Sequence, residues 1–424
     1  MIDIKIARNN PETIVNALKR RRMPATVVEQ LAELDIERRK LIVQSDELKQ
    51  LKNAVSKEIG RLKAKGEAAE EQSLRMRGVG EEIKALEESL SFTETKIHEL
   101  LMTIPNILQE NVPDGESEKD NVEIRRVGDF PKTDFTPLPH WELAEKLGII
   151  DFERGVKLSG TRFYVLKGAG ARLQRALIAW MLDLHISRHG YTEVYLPFMV
   201  KEECMFAAGQ LPKFRDNLYH DAEEDFWFVP TAEVPVTNLH RDEIIDGSLL
   251  PLNYVAYTPC FRREKMSAGK DVRGIKRGHQ FDKVEMFKFV HPSTSNQELE
   301  SLVFHAEEVC RLLGIPHRVI QLSSADVGFS SSLSFDIEMW AQGCGEWLEV
   351  SSCSNCTDFQ ARRAQIRFRE TPKSKPEFVH TLNGSGLALP RVMIAVMENY
   401  QQKDGSIVIP EVLRPFAGGM EKIG

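Results

Sequence analysis

The chain has 424 residues, more than one hydrophobic core usually covers, so two or more domains are expected. Hydrophobic residues make up 42% and charged residues 28% of the chain, and the net charge is −7, which describes an ordinary globular protein. The longest apolar runs are too short to span a bilayer and the N-terminus has no signal-peptide pattern, so membrane insertion and secretion are not expected. Six cysteines do not form a disulfide framework in a chain of this length, which predicts reduced thiols and a cytoplasmic location.

Residues 27–104 show a heptad pattern that predicts two long helices. Apolar side chains recur every seven residues at Leu34, Leu41, Leu48, Val55 and Leu62, and again at Ile83, Leu90, Ile97 and Ile104. The pattern breaks at Lys65-Gly66, so the second helix is expected to fold back antiparallel on the first. The sequence therefore predicts a two-stranded coiled-coil arm.

A basic stripe lies within the first of these helices. Residues 49–65 contain six lysines and arginines against one acidic residue, Glu58, and Arg75 and Arg77 follow the fold-back point. A heptad pair alone most often forms a dimerisation coiled coil. Because the basic residues approach the tip of the arm, we favour an arm that binds nucleic acid.

After the arm, Pro105 ends the second helix, and residues 105–139 are typical of a linker with a short strand at 122–127. Strands are then predicted at 226–229, 252–261, 279–290, 317–322, 333–340 and 346–351. Many of their connections are too short for a crossover helix, which favours an antiparallel sheet with flanking helices. We predict an α+β protein with an N-terminal helical arm (1–104), a linker (105–139) and a second domain (140–424).

Charged side chains occupy one face of the strand predicted at 279–290. With a period of two, Phe281, Lys283 and Glu285 point to the same side. The hairpin partner contributes Arg262 and Glu264, and the loop at 265–278 contains five basic residues against one acid. An arginine can bind a phosphate bidentately and an aromatic ring can stack on a flat base, so this hairpin is predicted to bind a phosphorylated ligand.

Several sequence blocks resemble a known enzyme family. FRRE (261–264) and HQFDKVE (279–285) resemble the second signature motif of class II aminoacyl-tRNA synthetases. AAGQLPKF (207–214), PTAEVPVTN (230–238), EVSSCSNCTDFQARR (349–363) and HTLNGSGLALPR (380–391) are similar to blocks of the seryl-tRNA synthetases, in the same order. The resemblance implies an antiparallel-sheet catalytic domain at 140–424, a tRNA-binding arm at 1–104, and a homodimer formed through the 170–200 region, where Pro197 resembles the first family motif.

The resemblance also implies site residues. The ATP-binding residues would be Arg262, Arg263, Glu264, Phe281, Glu349, Val350, Ser351, Ser352 and Arg391, with Arg262 and Arg391 in catalytic roles. The L-serine-binding residues would be Thr231, Ala232, Glu233, Arg262, Glu285, Asn383 and Ser385. Glu349 and Ser352 would bind Mg²⁺, a cation that prefers oxygen ligands. These two residues lie on opposite faces of a regular strand, so a bulge or a strand end is predicted near Ser351.

The implied reaction is the ATP-dependent activation of L-serine to seryl-adenylate, followed by transfer of the seryl group to the 3′ end of tRNA(Ser) and also of tRNA(Sec). Two other functions fit parts of the sequence. A ligase that loads an amino acid onto a carrier protein would lack a full tRNA arm, whereas the heptads here are intact. A non-catalytic tRNA-binding protein on the same fold would be expected to lose Arg262, Glu349 or Arg391.

Four further features have simpler interpretations. Cys353-x-x-Cys356 is expected to be a pair of buried structural thiols, because a single such motif is weak evidence for a metal. Asp336 and Glu338 alternate with apolar residues, which predicts a solvated strand face. His279 is open to two interpretations, a phosphate contact or a supporting hydrogen bond. Pro390 stands where the family commonly has glycine, and a proline in the first helical turn should leave Arg391 in place.

Overall fold

The structure is a computed structural model that describes residues 1–265 and 273–424. It divides into two compact units, residues 2–104 and residues 105–424, and Met1 belongs with the second. Residues 105–139, predicted as a linker, belong to the second unit. The assignment of tRNA binding to the first unit and of catalysis to the second stays a prediction. The predicted loop at 265–278 lies partly outside the described residues, since 266–272 are not described. Among the described helices, none is long and apolar enough to cross a bilayer.

The first unit is helical throughout. Its helices are α1 (Ile4–Asn9), α2 (Pro11–Arg20), α3 (Thr26–Ala64) and α4 (Glu70–Thr103). At 1.5 Å per residue, the 39 residues of α3 extend about 58 Å. The helix ends where the pattern breaks, because Lys65 caps it and Gly66 adopts a positive φ of 75°.

Contacts between α3 and α4 show that the two helices run antiparallel. Arg38 pairs with Glu94 at 2.9 Å and Lys49 with Glu87 at 2.8 Å, so an earlier position on α3 faces a later one on α4. The predicted seam lies between the helices, where the buried Val79 and Ile83 of α4 pack against α3 at Leu48, Val55 and Ile59. The coiled-coil prediction is confirmed.

The second unit contains one large sheet. Its strands in chain order are β1 (Val122–Val127), β2 (Thr192–Glu193), β3 (Leu252–Phe261), β4 (Gln280–Val290), β5 (His317–Gln321), β6 (Leu333–Ala341), β7 (Glu346–Asn355) and β8 (His380–Ala388). The spatial order is β1-β5-β6-β7-β8-β4-β3-β2. Every neighbouring pair is antiparallel except β2 and β3, so the predicted antiparallel α+β fold is confirmed.

The other helices and strands surround this sheet. The helices are α5 (His140–Leu147), α6 (Phe152–Ser159), α7 (Ala169–Ser187), α8 (Glu202–Ala208), α9 (Glu233–Thr237), α10 (Ser295–Leu312), α11 (Phe359–Ala364) and α12 (Leu389–Asn399). Short strands pair at Ile150–Asp151 with Val165–Leu166, at Met199–Val200 with Trp227–Phe228, at Ile407–Val408 with Lys422–Ile423, and among Ile244–Asp246, Arg367–Arg369 and Glu377–Phe378.

Both faces of β4 are covered, which explains its mixed sequence. Val284 and Met286 pack in the large core formed with α7, α10 and α12. On the opposite face, Phe287 and Phe289 pack in a second core with α9 and α11. The remaining stretch of that second face, towards the start of β4, is left for charged side chains.

Candidate active site

The predicted hairpin is formed by β3 and β4, and its register brings the predicted residues together. Phe281 lies opposite Cys260, Lys283 opposite Thr258 and Glu285 opposite Ala256. Just beyond β3, the Arg262 backbone N–H donates to the His279 carbonyl at 2.9 Å, which extends the hairpin by one residue. Above this face lies a cavity of about 410 Å³.

Most of the predicted site residues line this cavity. Twelve of them do so, namely Thr231, Glu233, Arg262, Glu264, Phe281, Glu285, Glu349, Val350, Ser352, Asn383, Ser385 and Arg391. Three predicted residues lie outside the lining that the described residues form. Ala232 is buried in the core, the Arg263 guanidinium lies 6.0 Å from the Tyr219 ring centre, and the Ser351 hydroxyl donates to the Ser385 carbonyl at 2.6 Å.

The nucleotide end of the cavity is formed by the open end of the hairpin. The Arg262 guanidinium lies 5.1 Å from the centre of the Phe281 ring, and its Nε donates to the Pro230 carbonyl at 3.2 Å. The Glu264 carboxylate accepts from Arg277 Nη1 at 3.1 Å. Glu264 has a φ of +50°, a conformation that is unfavourable for a residue with a side chain and that recurs at functional sites.

A second arginine enters the cavity from α12. The helix begins at Leu389, and Pro390 occupies its first turn, where a missing N–H costs little. Arg391 Nη1 donates to the Glu349 carbonyl at 2.7 Å and lies 3.3 Å from the Glu349 carboxylate. The proline therefore leaves Arg391 at the cavity.

The predicted bulge is present in β7. Opposite β6, Ile337 pairs with Ser351 and Glu338 with Glu349, so Val350 is the additional residue. The bulge brings Glu349 and Ser352 to the same face, and both line the cavity.

Asp336 is not on a solvated face, so the prediction is wrong for this residue, whereas Glu338 is half-buried and pairs with Arg318. Asp336 lies opposite Ser352 and is 8% exposed. Burial, and then repulsion from Glu349, raise the pKa of Asp336 well above its usual value. Its Oδ1 is buried without a hydrogen-bond partner among the described residues. A buried carboxylate beside a second carboxylate and a hydroxyl fits a hard divalent cation such as Mg²⁺.

The other end of the cavity is smaller and mostly buried. Lys283 Nζ donates to Thr231 Oγ1 at 2.7 Å and contacts the Glu285 carboxylate. Glu285 lies directly opposite Ser385 of β8, whose side chain faces the same cavity. This end thus offers carboxylates, hydroxyls and one ammonium group, which suits a small zwitterion with a polar side chain.

Glu233 begins α9 at this end of the cavity, where its backbone N–H donates to Thr231 Oγ1 at 3.2 Å. Its carboxylate accepts from Gln360 Nε2 at 2.6 Å. Burial, and then repulsion from Glu285, raise the pKa of Glu233 to about 7. The group therefore changes its charge in the neutral pH range.

Sequence reasoning missed part of the site. Strand β8 was not predicted, because its sequence HTLNGSGLA is rich in small and polar residues that have low β-propensity. Only the match of residues 380–391 to a block of the family indicated that this segment belongs to the site. Lys276 and Arg277 also line the cavity, whereas the sequence indicates them only as basic residues of the 265–278 loop.

Two features with open or simple interpretations have defined surroundings. The His279 ring forms a hydrogen bond with the Tyr219 hydroxyl at 2.8 Å through Nδ1, which agrees with the supporting role, and the phosphate contact stays a prediction. Cys353 and Cys356 are fully buried, and burial raises the pKa of the Cys353 thiol to about 12, as expected for structural thiols.

Comparisons with known proteins agree with this geometry. Residues 1–108 match the family described as seryl-tRNA synthetase N-terminal domain, and residues 214–400 match the tRNA synthetase class II core domain (G, H, P, S and T). A serine–tRNA ligase of Roseiflexus sp. (strain RS-1) is 60% identical over 423 residues, covering 100% of this chain and 99% of its own. The chain belongs to the seryl-tRNA synthetase family.

Other relatives extend this family match. A serine–tRNA ligase of Chloroflexus aurantiacus is 57% identical, and the alignment covers 100% of both chains. The crystal structure of seryl-tRNA synthetase from Pyrococcus horikoshii complexed with ATP superposes with a TM-score of 0.94 at 38% identity, covering 100% of this chain and 99% of that one. The predicted family, fold class and ATP-dependent ligase activity are therefore confirmed.

Proposed function

We propose that the protein activates L-serine with ATP to form seryl-adenylate and then transfers the seryl group to the 3′ end of tRNA(Ser), and of tRNA(Sec) where a cell has it. One observation supports this most strongly. Phe281 and Glu285 lie on the same face of β4 within a single cavity, at the nucleotide end and at the small polar end. Adenine and serine can therefore lie side by side on one strand.

The nucleotide would bind at the open end of the hairpin. Phe281 would stack on the adenine and Glu264 would accept a hydrogen bond from its amino group. Arg262 would bind the α-phosphate, and Arg391 would reach the terminal phosphates from the first turn of α12. Two guanidinium groups that converge on one cavity suit a triphosphate, because each can form two parallel hydrogen bonds to phosphate oxygens.

The small end would bind serine. Its ammonium group would be bound by Glu233 and Glu285, with Thr231, Asn383 and Ser385 supplying further hydrogen bonds. A buried site that hydrogen-bonds a hydroxyl disfavours a substrate without one, because its polar groups would stay unpaired. Alanine is therefore expected to be a poor substrate.

The first reaction needs no general base, because the serine carboxylate is already a nucleophile. One of its oxygens attacks the α-phosphorus of ATP, the bond to the bridging oxygen breaks, and pyrophosphate leaves. Arg262 and Arg391 would position the phosphates and neutralise the charge that develops on them. Glu349, Ser352 and Asp336 would bind Mg²⁺, which would supply further positive charge to the phosphates.

The second reaction brings the tRNA into contact with the arm. A ribose hydroxyl at the tRNA 3′ end attacks the carbonyl of seryl-adenylate, and AMP leaves. Near the fold-back, Lys57, Arg61, Lys63 and Lys65 are exposed at the end of α3. They would contact backbone phosphates, chiefly in the long variable arm of the tRNA.

We further propose a cytoplasmic homodimer that forms through the 170–200 region. This region exposes large apolar side chains, because Tyr195 is 84% and Met199 49% exposed, and Ile186 is also exposed. An interface at this region would remove these apolar side chains from water. The six cysteines are all free thiols, which suits a reducing compartment.

The experiment is ATP–pyrophosphate exchange with each amino acid in turn, for the wild type, Arg262→Ala and Glu285→Ala. We expect exchange with serine, none with Arg262→Ala at any substrate concentration, and a loss of serine preference with Glu285→Ala. Arg311→Ala is the matched control, because Arg311 pairs with Glu307 on α10 outside the cavity. Wild-type protein that binds tRNA but shows no serine-dependent exchange would instead favour the non-catalytic alternative.

A further inference from the structure

Three side chains converge outside the catalytic cavity, and the proposed reaction uses none of them. His140 Nδ1 lies 2.9 Å from Glu398 Oε1, and the Cys344 thiol lies 3.0 Å from the same oxygen. His140 and Glu398 are almost completely buried. A histidine, a cysteine and a glutamate whose ligand atoms all lie within 4.8 Å of one another could hold a metal ion.

The hydrogen bonds of His140 indicate a hydrogen-bond network rather than a metal site. The backbone N–H of Ile275 donates to His140 Nε2 at 3.2 Å, and a backbone N–H can only donate. Nε2 is therefore unprotonated, so the imidazole proton is on Nδ1, where it is donated to Glu398. The Cys344 backbone N–H also donates to Glu398, at 2.9 Å, which leaves the carboxylate bonded on both oxygens.

One end of this network contacts Gly274 and Ile275, which follow the undescribed residues 266–272. Gly274 packs directly on the imidazole, with a positive φ of 71°, and a Cβ there would lie 1.9 Å from His140 Nε2. The next residue, Ile275, is 1% exposed. Lys276 and Arg277 then follow, and both line the catalytic cavity. Lys276 pairs with Glu346 at 2.8 Å, and Arg277 pairs with Glu264 of the cavity at 3.1 Å.

The other end of the network lies on α12. Glu398 and Arg391 are seven residues apart on this helix, which is about two turns, so they lie on the same side of it. The network thus joins the helix that positions Arg391 to the segment that positions Arg277. Glu398 is a carboxylate here, because hydrogen bonds from His140 and Cys344 outweigh burial and lower its pKa.

We propose that His140 is a positioning residue for ATP. Through its bond to Ile275 it fixes Lys276 and Arg277 at the nucleotide end of the cavity, although it touches no reacting atom itself. The inference rests on the proposed function in one respect, that the cavity binds ATP. It predicts that a change at His140 alters ATP binding and leaves serine binding unchanged.

The test compares two replacements of His140 in ATP–pyrophosphate exchange. His140→Asn keeps a donor near Nδ1 but has no atom at Nε2, so the KM for ATP should rise about tenfold while kcat and the KM for serine change less than about twofold. His140→Gln places an amide oxygen near Nε2 and should restore much of the KM. His317→Asn is the matched control, because it breaks another buried His–Glu pair, with Glu307, and should not change the KM for ATP.

Gly274→Ala perturbs the same contact from the other side and serves if His140→Asn does not fold, as judged by its melting temperature. It should also raise the KM for ATP selectively. A KM for ATP within twofold of wild type in every folded variant, or equal rises for ATP and serine, would overturn the inference. So would one zinc ion per chain that is lost in Cys344→Ala. Wild-type protein without serine-dependent exchange would contradict the proposed function instead.

Discussion

The KM for serine should depend on pH through Glu233. This carboxyl is half-buried at the serine end of the cavity, and desolvation there, followed by repulsion from Glu285, raises its pKa to about 7. A carboxylate binds the serine ammonium more strongly than a neutral carboxyl does, because both partners are then charged. Serine binding should therefore weaken as the pH falls through 7.

The size of the effect follows from the fraction of Glu233 that is ionised. With a pKa of about 7, roughly 9% is ionised at pH 6 and about 90% at pH 8. If only the ionised form binds serine, the KM for serine should be about tenfold higher at pH 6 than at pH 8. In Glu233→Gln the KM should be high and nearly constant over this range.

The assay is ATP–pyrophosphate exchange at pH 6, 7 and 8, with serine varied, ATP saturating and the ionic strength constant. The KM for ATP is measured in parallel, because ATP itself titrates near pH 6 to 7. Wild-type protein with a constant KM for serine would refute the reasoning. The same refutation follows if Glu233→Gln keeps the wild-type pH dependence.

The same carboxyl should affect stability with a defined sign. Its folded pKa is raised above the usual 4.5, so the folded state binds the proton more tightly than the unfolded state. The free energy of unfolding should therefore fall as the pH rises from about 4.5 to 7, by at most about 3 kcal/mol. Glu233→Gln should lack this decrease in urea unfolding measured at several pH values.

Three other predictions concern the metal and the arm. Asp336→Asn should raise the Mg²⁺ concentration for half-maximal exchange about tenfold, and an unchanged requirement would exclude Asp336 as a ligand. The double variant Arg61→Ala/Lys63→Ala should raise the KM for tRNA without changing pyrophosphate exchange. The slope of the logarithm of the tRNA-binding constant against the logarithm of the salt concentration should become less steep by about two. Ile83→Ala truncates a buried side chain of the seam and should lower the free energy of unfolding of the arm by about 2–4 kcal/mol, measured by circular dichroism. Pyrophosphate exchange should stay normal in this variant.

Much of the fold could be predicted because its signals are local. Heptads at 34–62 and 83–104 indicate the arm, since a seven-residue repeat keeps one stripe of each helix apolar. The alternation in 252–261 and 279–290 indicates the hairpin, because side chains of a strand point to opposite faces in turn. The bulge was predicted in another way, because the family resemblance implied that Glu349 and Ser352 act together, which requires a bulge or a strand end near Ser351. The structure has the bulge at Val350.

Other parts of the site could not be predicted, because they depend on what packs against a strand. Asp336 alternates with apolar residues as a solvated residue would, but it is buried opposite Ser352. Strand β8 has a weak propensity and forms because it pairs with β4 and β7 on its two sides. Ser351 was grouped with its neighbours, yet its hydroxyl bonds to the Ser385 carbonyl.

By itself, the sequence determined the arm, the hairpin and the chemical groups available at its open face, because these depend on residue type and on periods of a few residues. The tertiary structure decided which of those groups meet. Glu233, Glu285 and Ser385 are far apart in the chain, and His140 reaches Ile275 across 135 positions. Such contacts follow from burial and strand order, and a local pattern contains no information about either.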